Sequence, residues 1–159
     1  RPDLHLIACE PNPYDYKEVL AAANGHSNVE LYNVAIGDGN GRMKLYDEGT
    51  SSSLEGVDSP FAQHHKVDPS TKPFFEVDVR KISEFDHGQI DILRVDTEGS
   101  EYFCLKHLIS RPKQIVVEIY NDLGTYINPY LYEITQWCQA NNYTRAAVQD
   151  SDFIYVRSS

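Results

Sequence analysis

Short apolar runs alternate with segments of helical period along most of the chain, and this alternation limits the fold more than any other feature. An apolar run of about four to eight residues between Gly or Pro positions is typical of a strand, whereas apolar residues spaced three or four apart are typical of a helix. Strands that alternate with helices favour an α/β fold. We therefore expect one α/β domain over residues 1–159, with a mostly parallel sheet.

The predicted elements follow this pattern to the end of the chain. Strands are predicted at 4–9, 29–36, 42–47, 74–79, 90–95, 115–119, 143–148 and 153–156, and helices at 14–24, 99–109 and 129–140. The strands at 42–47 and 74–79 are expected to pair with each other in antiparallel fashion. A polar turn joins the last two strands, which predicts that the sheet ends with an antiparallel strand.

Composition excludes some classes of partner. The net charge is −10 and no run of Lys or Arg forms a stripe, so neither nucleic acid nor an anionic membrane surface is an expected partner. No apolar stretch reaches the roughly 18 residues that predict a membrane helix, and the N-terminus has no signal-peptide pattern. The isolated Cys9, Cys104 and Cys138 are expected to be reduced core thiols of a cytoplasmic protein. Nothing in the pattern decides the oligomeric state.

Several predicted strands are followed directly by carboxylates. Glu10 and Asn12 follow the first strand, and Asp38 follows Ala35 and Ile36 at the end of the second. Further along, the strand ends present Asp96 with Glu98, and Glu118 with Asn121 and Asp122. Ligands of open α/β sheets bind beyond the carboxyl ends of the strands. We therefore expect the site at this edge.

Each position has a chemical use and an ordinary structural one. A carboxylate at Glu10 suits both hydroxyls of a ribose, and Asp38 is a candidate to bind an adenine amino group. Asp96 and Glu101 also suit the positive end of a helix dipole. The Gly-rich segment 37–41 lacks the spacing of a phosphate loop, and its Asn-Gly dipeptide indicates a hairpin turn. The two histidines at 64–65 are expected on the surface.

Two segments together resemble a known family. Residues 7–13, IACEPNP, resemble the "fEPnP" element of FkbM-type methyltransferases. Residues 90–101, IDILRVDTEGSE, resemble their "iDllKiDvEGaE" signature, with Arg94 in place of the usual Lys. Segments 34–38, 51–53 and 116–119 match further family elements in the expected order.

The resemblance implies a Rossmann-like class I methyltransferase sheet with an antiparallel terminal strand. It also implies S-adenosylmethionine as methyl donor and a hydroxyl of a sugar or another small molecule as acceptor. By position, Glu10 and Asn12 belong to the cofactor site with Ala35, Ile36 and Asp38.

The resemblance also places Asp96 and Glu98 at the methyl-transfer site. In this hypothesis Asp96 or Glu98 is the general base, and Glu118 orients the acceptor or balances the sulfonium charge. The loop from 55 to 72 is expected to cover the acceptor pocket.

One family element does not occur before Arg1, namely the opening strand and its glycine-rich turn, roughly "D-x-G-A-N-x-G". That first strand–helix unit would place a strand between the predicted strands at 4–9 and 90–95. We therefore expect a longer natural protein, or another segment in this gap.

Two alternatives stay open at this point, although the main hypothesis assigns no metal. The first is a Mg²⁺-dependent O-methyltransferase in which Asp96, Asn121 and Asp122 provide oxygen ligands. The second is a binding domain without catalytic activity.

Overall fold

The computed structural model describes residues 4–47, 52–57, 71–119, 121–122 and 126–158, and at 121, 122 and 126 the backbone alone. In chain order, the strands are β1 (Leu6–Cys9), β2 (Val29–Tyr32), β3 (Ala35–Ile36), β4 (Gly41–Tyr46), β5 (Ser53–Leu54), β6 (Phe74–Arg80), β7 (Ile92–Val95), β8 (Gln114–Glu118), β9 (Asn121–Asp122), β10 (Tyr126–Ile127), β11 (Tyr143–Gln149) and β12 (Asp152–Arg157). The helices are α1 (Pro13–Ala23), α2 (Glu101–Lys106) and α3 (Leu131–Ala140), and a 3₁₀ turn covers Ile82–Glu84.

These strands form four hydrogen-bonded groups. β1 pairs with β2 in parallel, and a second sheet has the order β7-β8-β12-β11. In that sheet β7 and β8 are parallel, while β12 runs antiparallel to both β8 and β11. A third sheet has the order β3-β6-β4-β5, and β9 pairs with β10. The fold is therefore mixed α/β.

The three α-helices overlap the predicted helical segments, although their bounds differ by up to three residues. α1 begins at Pro13, and the side chain of Asn12 accepts a hydrogen bond from the Tyr14 N–H and so caps the helix. α2 and α3 pack against each other through rings, with the Phe103 and Tyr130 centroids 5.0 Å apart. Among the described helices, none is both long and apolar enough to cross a lipid bilayer.

Two groups of apolar side chains form the core. The larger group packs α2 and α3 against the β7-β8-β12-β11 sheet, with Ile115, Val117 and Ile134 fully buried. The smaller group lies under the third sheet around Leu45, Val77 and Val79. β6 alternates between exposed and buried positions as predicted, because only one face of its sheet is covered.

The predicted strand over residues 29–36 is two strands in different sheets. β2 ends at Tyr32, and the Asn33 side chain donates hydrogen bonds to the carbonyls of Glu10 (2.8 Å) and Pro11 (3.1 Å). The chain then joins β6 as β3. The prediction of one continuous strand was wrong because a contact distant in sequence redirects the chain at Asn33.

The hairpin predicted at Asn40–Gly41 was also wrong. β3 and β4 do not pair with each other but lie on opposite sides of β6, and the Asn40 side chain accepts a hydrogen bond from the Lys81 N–H. Gly37 begins this connection so close to β6 that an added Cβ would lie 2.6 Å from Val79 Cγ1. The glycine is required by this close approach.

Other predictions differ in extent. α2 ends at Lys106, so Ile109, which was predicted to face inward, is exposed. β4 and β6 pair in antiparallel fashion as predicted, and the terminal hairpin is confirmed. The sheet was predicted to be mostly parallel, but among the described strands only the pairs β1–β2, β3–β6 and β7–β8 are parallel, and the other pairs are antiparallel.

β1 and β7 are both edge strands within the described residues. β1 is bonded to β2 and β7 to β8, and the two edges do not bond to each other. Large apolar side chains on these strands are exposed, including Leu6 and Ile92. The expected additional strand between them stays a prediction.

Candidate active site

Strand register brings two of the predicted carboxylates together. β7 and β8 are parallel with Val95 opposite Val117, so Asp96 and Glu118 leave the same edge of the sheet side by side. In the hydrogen-bonded pair β1–β2, Cys9 is the last residue of β1, and Glu10 follows directly. The ends of β1 and β7 face one cavity.

This cavity has a volume of about 190 Å³. Its apolar wall consists of Val34, Ala35, Ile36, Leu45 and Leu54, and its remaining lining consists of Cys9, Glu10, Pro11, Asn12, Asp15, Ser52, Asp96, Thr97, Glu98 and Ser100. The lining thus includes four carboxylates and, among the described residues, neither Lys, Arg nor His. Such a cavity favours a positively charged ligand and disfavours a phosphate.

The Glu10–Asn12 segment forms the first side of the cavity. Glu10 Oε1 accepts a hydrogen bond from the Asn12 N–H at 2.8 Å, and Asn12 Oδ1 accepts one from the Tyr14 N–H at 2.9 Å. Burial raises the pKa of Glu10, and the hydrogen bond from Asn12 opposes this rise. The carboxylate is therefore held in place, while buried Asn12 caps α1.

The loop after β7 forms the second side of the cavity. Glu98 and Gly99 have φ angles of 51° and 106°, and the left-handed region is unfavourable for a residue such as Glu. The buried Glu101 carboxylate stabilises this turn, because Oε1 accepts from the Gly99 N–H (2.7 Å) and the Thr97 hydroxyl (3.3 Å). Asn128 donates to Glu101 Oε2 at 2.8 Å. Glu101 thus shapes the loop that buries Glu98 against the cavity.

Three carboxylates form a cluster at this edge. Oxygens of Asp96, Glu98 and Glu118 all lie within 4.8 Å of one another. Burial raises the pKa of Glu118 to about 7, and the neighbouring Asp96 carboxyl adds to this rise. Ser151 Oγ donates a hydrogen bond to Glu118 Oε1 at 2.7 Å, and this bond opposes the rise in the Glu118 pKa. The Arg94 guanidinium is 3.2 Å from Asp96 Oδ2.

Asp38 lies elsewhere. Its carboxylate is 2.6 Å from Lys106 Nζ and 2.8 Å from His107 Nε2, and these two partners lower its pKa. It is not among the residues that line the cavity. The predicted adenine contact of Asp38 therefore has no support from this geometry, whereas Ala35 and Ile36 of the same segment do line the cavity.

Some predictions concern parts of the chain that the structure does not describe. The side chains of Asn121 and Asp122, the histidines at 64–65, Ser51 and residues 58–70 of the proposed covering loop lie outside the described residues. Cys104 and Cys138 are buried free thiols as expected, but Cys9 is only partly buried and lines the cavity.

Asp15 and Ser100 are among the cavity residues that the sequence analysis did not assign to the site. Asp15 lies in the first turn of α1, one helical turn beyond Asn12. This spacing from Glu10 and Asn12 could have indicated that Asp15 also lines the cavity. Ser100 lies between two acidic residues of the signature and was considered only as part of a helix start. Its burial depends on the turn at Glu98 and Gly99, which the sequence pattern does not reveal.

Comparison with known proteins agrees with the resemblance noted in the sequence. The family model of the methyltransferase FkbM domain matches residues 3–145, which is most of the chain. Neither a curated protein nor a solved structure gives a significant match. Because the family model covers the β1 end, the β7 loop and β8 together, the chain belongs to the FkbM methyltransferase domain family.

Proposed function

We propose that this domain is an S-adenosylmethionine-dependent methyltransferase that acts on a hydroxyl of a sugar or another small molecule. The observation that supports this proposal is the shared cavity. Glu10, Asn12, Ala35, Ile36, Asp96 and Glu98 come from distant parts of the sequence, and all line it. Its acidic lining suits a cofactor that has a positively charged sulfur.

The chain's residues fit the cofactor by the chemistry of their side chains. The Glu10 carboxylate is placed to accept hydrogen bonds from the ribose hydroxyls, and Ala35 and Ile36 offer an apolar surface for the adenine ring. The cavity of about 190 Å³ is smaller than the roughly 300–1,000 Å³ of typical ligand sites. In this proposal it holds the nucleoside part, and the amino-acid part lies towards the gap between β1 and β7.

That gap also supports a Rossmann-like arrangement, which is part of the proposal. β2-β1 and β7-β8-β12-β11 would be two parts of one sheet, because the ends of β1 and β7 line the same cavity. β12 would then be its antiparallel strand next to β8, in agreement with the expected terminal strand. Ligand binding beyond the carboxyl ends of β1 and β7 follows the rule for open α/β sheets.

The carboxylate cluster is the proposed catalytic part. When bound, S-adenosylmethionine supplies a methyl group whose transfer to a hydroxyl oxygen releases S-adenosylhomocysteine and one proton. Asp96 or Glu98 accepts that proton, and Glu118 holds the acceptor oxygen in position. Arg94 orients Asp96 through its 3.2 Å contact with Oδ2.

Calorimetric titration with S-adenosylhomocysteine tests the cofactor site. We expect saturable binding that is about tenfold to a hundredfold weaker in Glu10→Gln, because a charged acceptor is lost while a carbonyl remains for the Asn12 N–H. Glu76→Gln is the matched control, because Glu76 is an exposed residue of β6. A folded wild-type chain that does not bind, or equal affinities in all three proteins, would contradict the proposal.

Methylation of a panel of sugars and other hydroxyl compounds tests the catalytic assignment. Asp96→Asn and Glu98→Gln are expected to lower turnover by about a hundredfold or more if one of them is the base. If both retain wild-type turnover with S-adenosylhomocysteine affinity unchanged, the general-base assignment is wrong.

A further inference from the structure

The Asp96–Glu98–Glu118 cluster holds three carboxyl groups together at one edge of the sheet. Its oxygens lie within 4.8 Å of one another, at a partly buried edge where like charges repel strongly. Arg94 contacts Asp96 of the cluster at 3.2 Å, and it also bonds to Asp152 at 2.9 Å. Asp96 therefore shares its guanidinium partner with a second aspartate.

The fold imposes this proximity. Asp96 and Glu118 follow paired residues of the parallel strands β7 and β8, so their backbones are fixed side by side. Glu98 is 8% exposed and is held there by a left-handed turn that the Glu101 carboxylate stabilises. The carboxylates therefore have little freedom to separate, and the arrangement is prepared to receive a positive charge.

A second observation points to a ligand at the same place. Ser100 is 1% exposed and lines the cavity together with Asp96 and Glu98. Its hydroxyl oxygen has no hydrogen-bond partner among the described residues. A buried hydroxyl without a partner costs about 1–3 kcal/mol, so native proteins rarely keep one unless something else binds it.

We propose that Asp96, Glu98 and Glu118 bind a hard divalent cation such as Mg²⁺, with the Ser100 hydroxyl next to the bound ion or one of its waters. All of these donors are oxygens, the ligand type that Mg²⁺ and Mn²⁺ prefer, and the set contains neither the thiolate nor the imidazole typical of zinc sites. This set differs from the alternative with Asn121 and Asp122, because it uses Glu98 and Glu118 with Asp96.

Cation binding itself does not depend on the methyltransferase proposal, but its role does. In that role the bound ion also contacts the hydroxyl oxygen of the acceptor and lowers the pKa of that hydroxyl. The second oxygen of a ligating carboxylate stays available for the proton. The acceptor would therefore be a compound whose hydroxyl can reach the bound ion. A second oxygen next to that hydroxyl would strengthen the binding of the acceptor to the ion.

Titration of the chain with Mn²⁺ in metal-free buffer, followed by calorimetry and by electron paramagnetic resonance of the free ion, tests the site. We expect one Mn²⁺ per chain, competition by Mg²⁺, and affinity at least about tenfold weaker in Glu98→Gln and Glu118→Gln. Glu76→Gln is expected to bind like the wild type, because it removes an exposed charge of β6 that belongs neither to the cavity lining nor to the cluster. Absence of saturable binding by the folded wild type, or equal affinity in all four proteins, would overturn the proposal.

Thermal unfolding distinguishes loss of the site from loss of the fold. With chelator present, Glu118→Gln is expected to melt no lower than the wild type, because the substitution removes one of three like charges. With saturating Mn²⁺ the wild type gains more stability by mass action than the variant, whose affinity is weaker. Equal Mn²⁺-induced shifts in both proteins would contradict the assigned ligands.

The two proposals fail separately. Binding of S-adenosylhomocysteine in the presence of chelator, without Mn²⁺ binding, would leave the cofactor site intact and remove the metal. Mn²⁺ binding by a chain that does not bind S-adenosylhomocysteine would retain the metal site and contradict the proposed function.

Discussion

Two parts of the molecule are built from the same strand–helix pattern but differ in burial. In the β7-β8-β12-β11 sheet with α2 and α3, side chains such as Ile115 and Ile134 are 0% exposed. In the β1–α1–β2 unit, no residue of α1 is buried, and Leu20 is 49% exposed. The same periodicity therefore gives a core in one part and an uncovered surface in the other.

The difference follows from the number of neighbours. β8 has a strand on each side and helices packed on its sheet, whereas β1 bonds to β2 alone among the described strands. Hydrophobic stabilisation is proportional to the apolar area removed from water, so an apolar pattern without a partner contributes little. Most of the folding free energy is therefore expected in the β7-β8-β12-β11 part, and the following substitutions test that expectation.

The largest effect is expected for a matched pair of core and surface truncations. Ile134→Ala in α3 is expected to lower the free energy of unfolding by about 3 kcal/mol, because it leaves a cavity in the larger core. Leu20→Ala in α1 is expected to lower it by less than about 1 kcal/mol, because that side chain is already half exposed. Urea unfolding followed by circular dichroism measures both losses, and equal losses would contradict the comparison.

A smaller effect is expected at Asp86, which anchors the loop before β7. Its buried carboxylate accepts hydrogen bonds from the N–H groups of Gly88 (2.9 Å), Ile109 (2.7 Å) and Ser110 (2.6 Å), and from the Ser110 hydroxyl. Burial alone would raise the pKa of Asp86, but these bonds outweigh burial and lower it below the usual 3.8. Asp86→Asn is expected to cost about 2 kcal/mol at pH 7.

The same substitution has a defined pH dependence. Between the unfolded and folded pKa values the unfolded chain binds more protons at Asp86, so stability rises with pH there. The Asp86 contribution is thus fully present above a pH of about 3.8 and is lost as the pH falls through the lowered folded pKa. Urea unfolding of wild type and Asp86→Asn from pH 7 down to the lowest pH at which both fold measures it. A constant difference at all pH values would show that the charge is not responsible.

The smallest effect is expected for a carboxylate on the β1–β2 edge. Glu30 bonds to the Tyr32 hydroxyl (2.7 Å) and His5 (2.8 Å), and these contacts, led by Tyr32, lower its pKa. Both side chains of the His5–Glu30 contact are about half exposed, so water and salt screen the interaction. Glu30→Gln is expected to leave the urea midpoint within experimental error, and a loss as large as that of Asp86→Asn would contradict this interpretation.

Part of the cavity lining was predicted from the sequence. The rule that parallel strands end at the same edge of a sheet placed Glu10, Asp96, Glu98 and Glu118 together, and the structure has the first three in the cavity lining and the last in the carboxylate cluster. Their roles stay predictions. The role of Glu101 as the acceptor for the Gly99 N–H was not predictable, because it depends on the left-handed turn before it.

Other features were decided by contacts between residues far apart in sequence. Lys106 and His107 bind Asp38 away from the cavity, although its position after β3 suggested an adenine contact. Asn33 separates β2 from β3 by bonding to the carbonyls of Glu10 and Pro11. A local pattern contains no information about such partners, since each contact joins segments that only the folded chain brings together.

The sequence alone determined the approximate positions of the three α-helices, the terminal hairpin and the family, because periodicity, turn residues and motif spacing are local properties. Tertiary structure decided which strands pair, which apolar faces are covered and which carboxylates meet. The cluster exists because Val95 lies opposite Val117 and because a turn buries Glu98 next to them. The register of a strand and the burial of a side chain depend on the strands and helices packed against them, and one segment of sequence does not specify those partners.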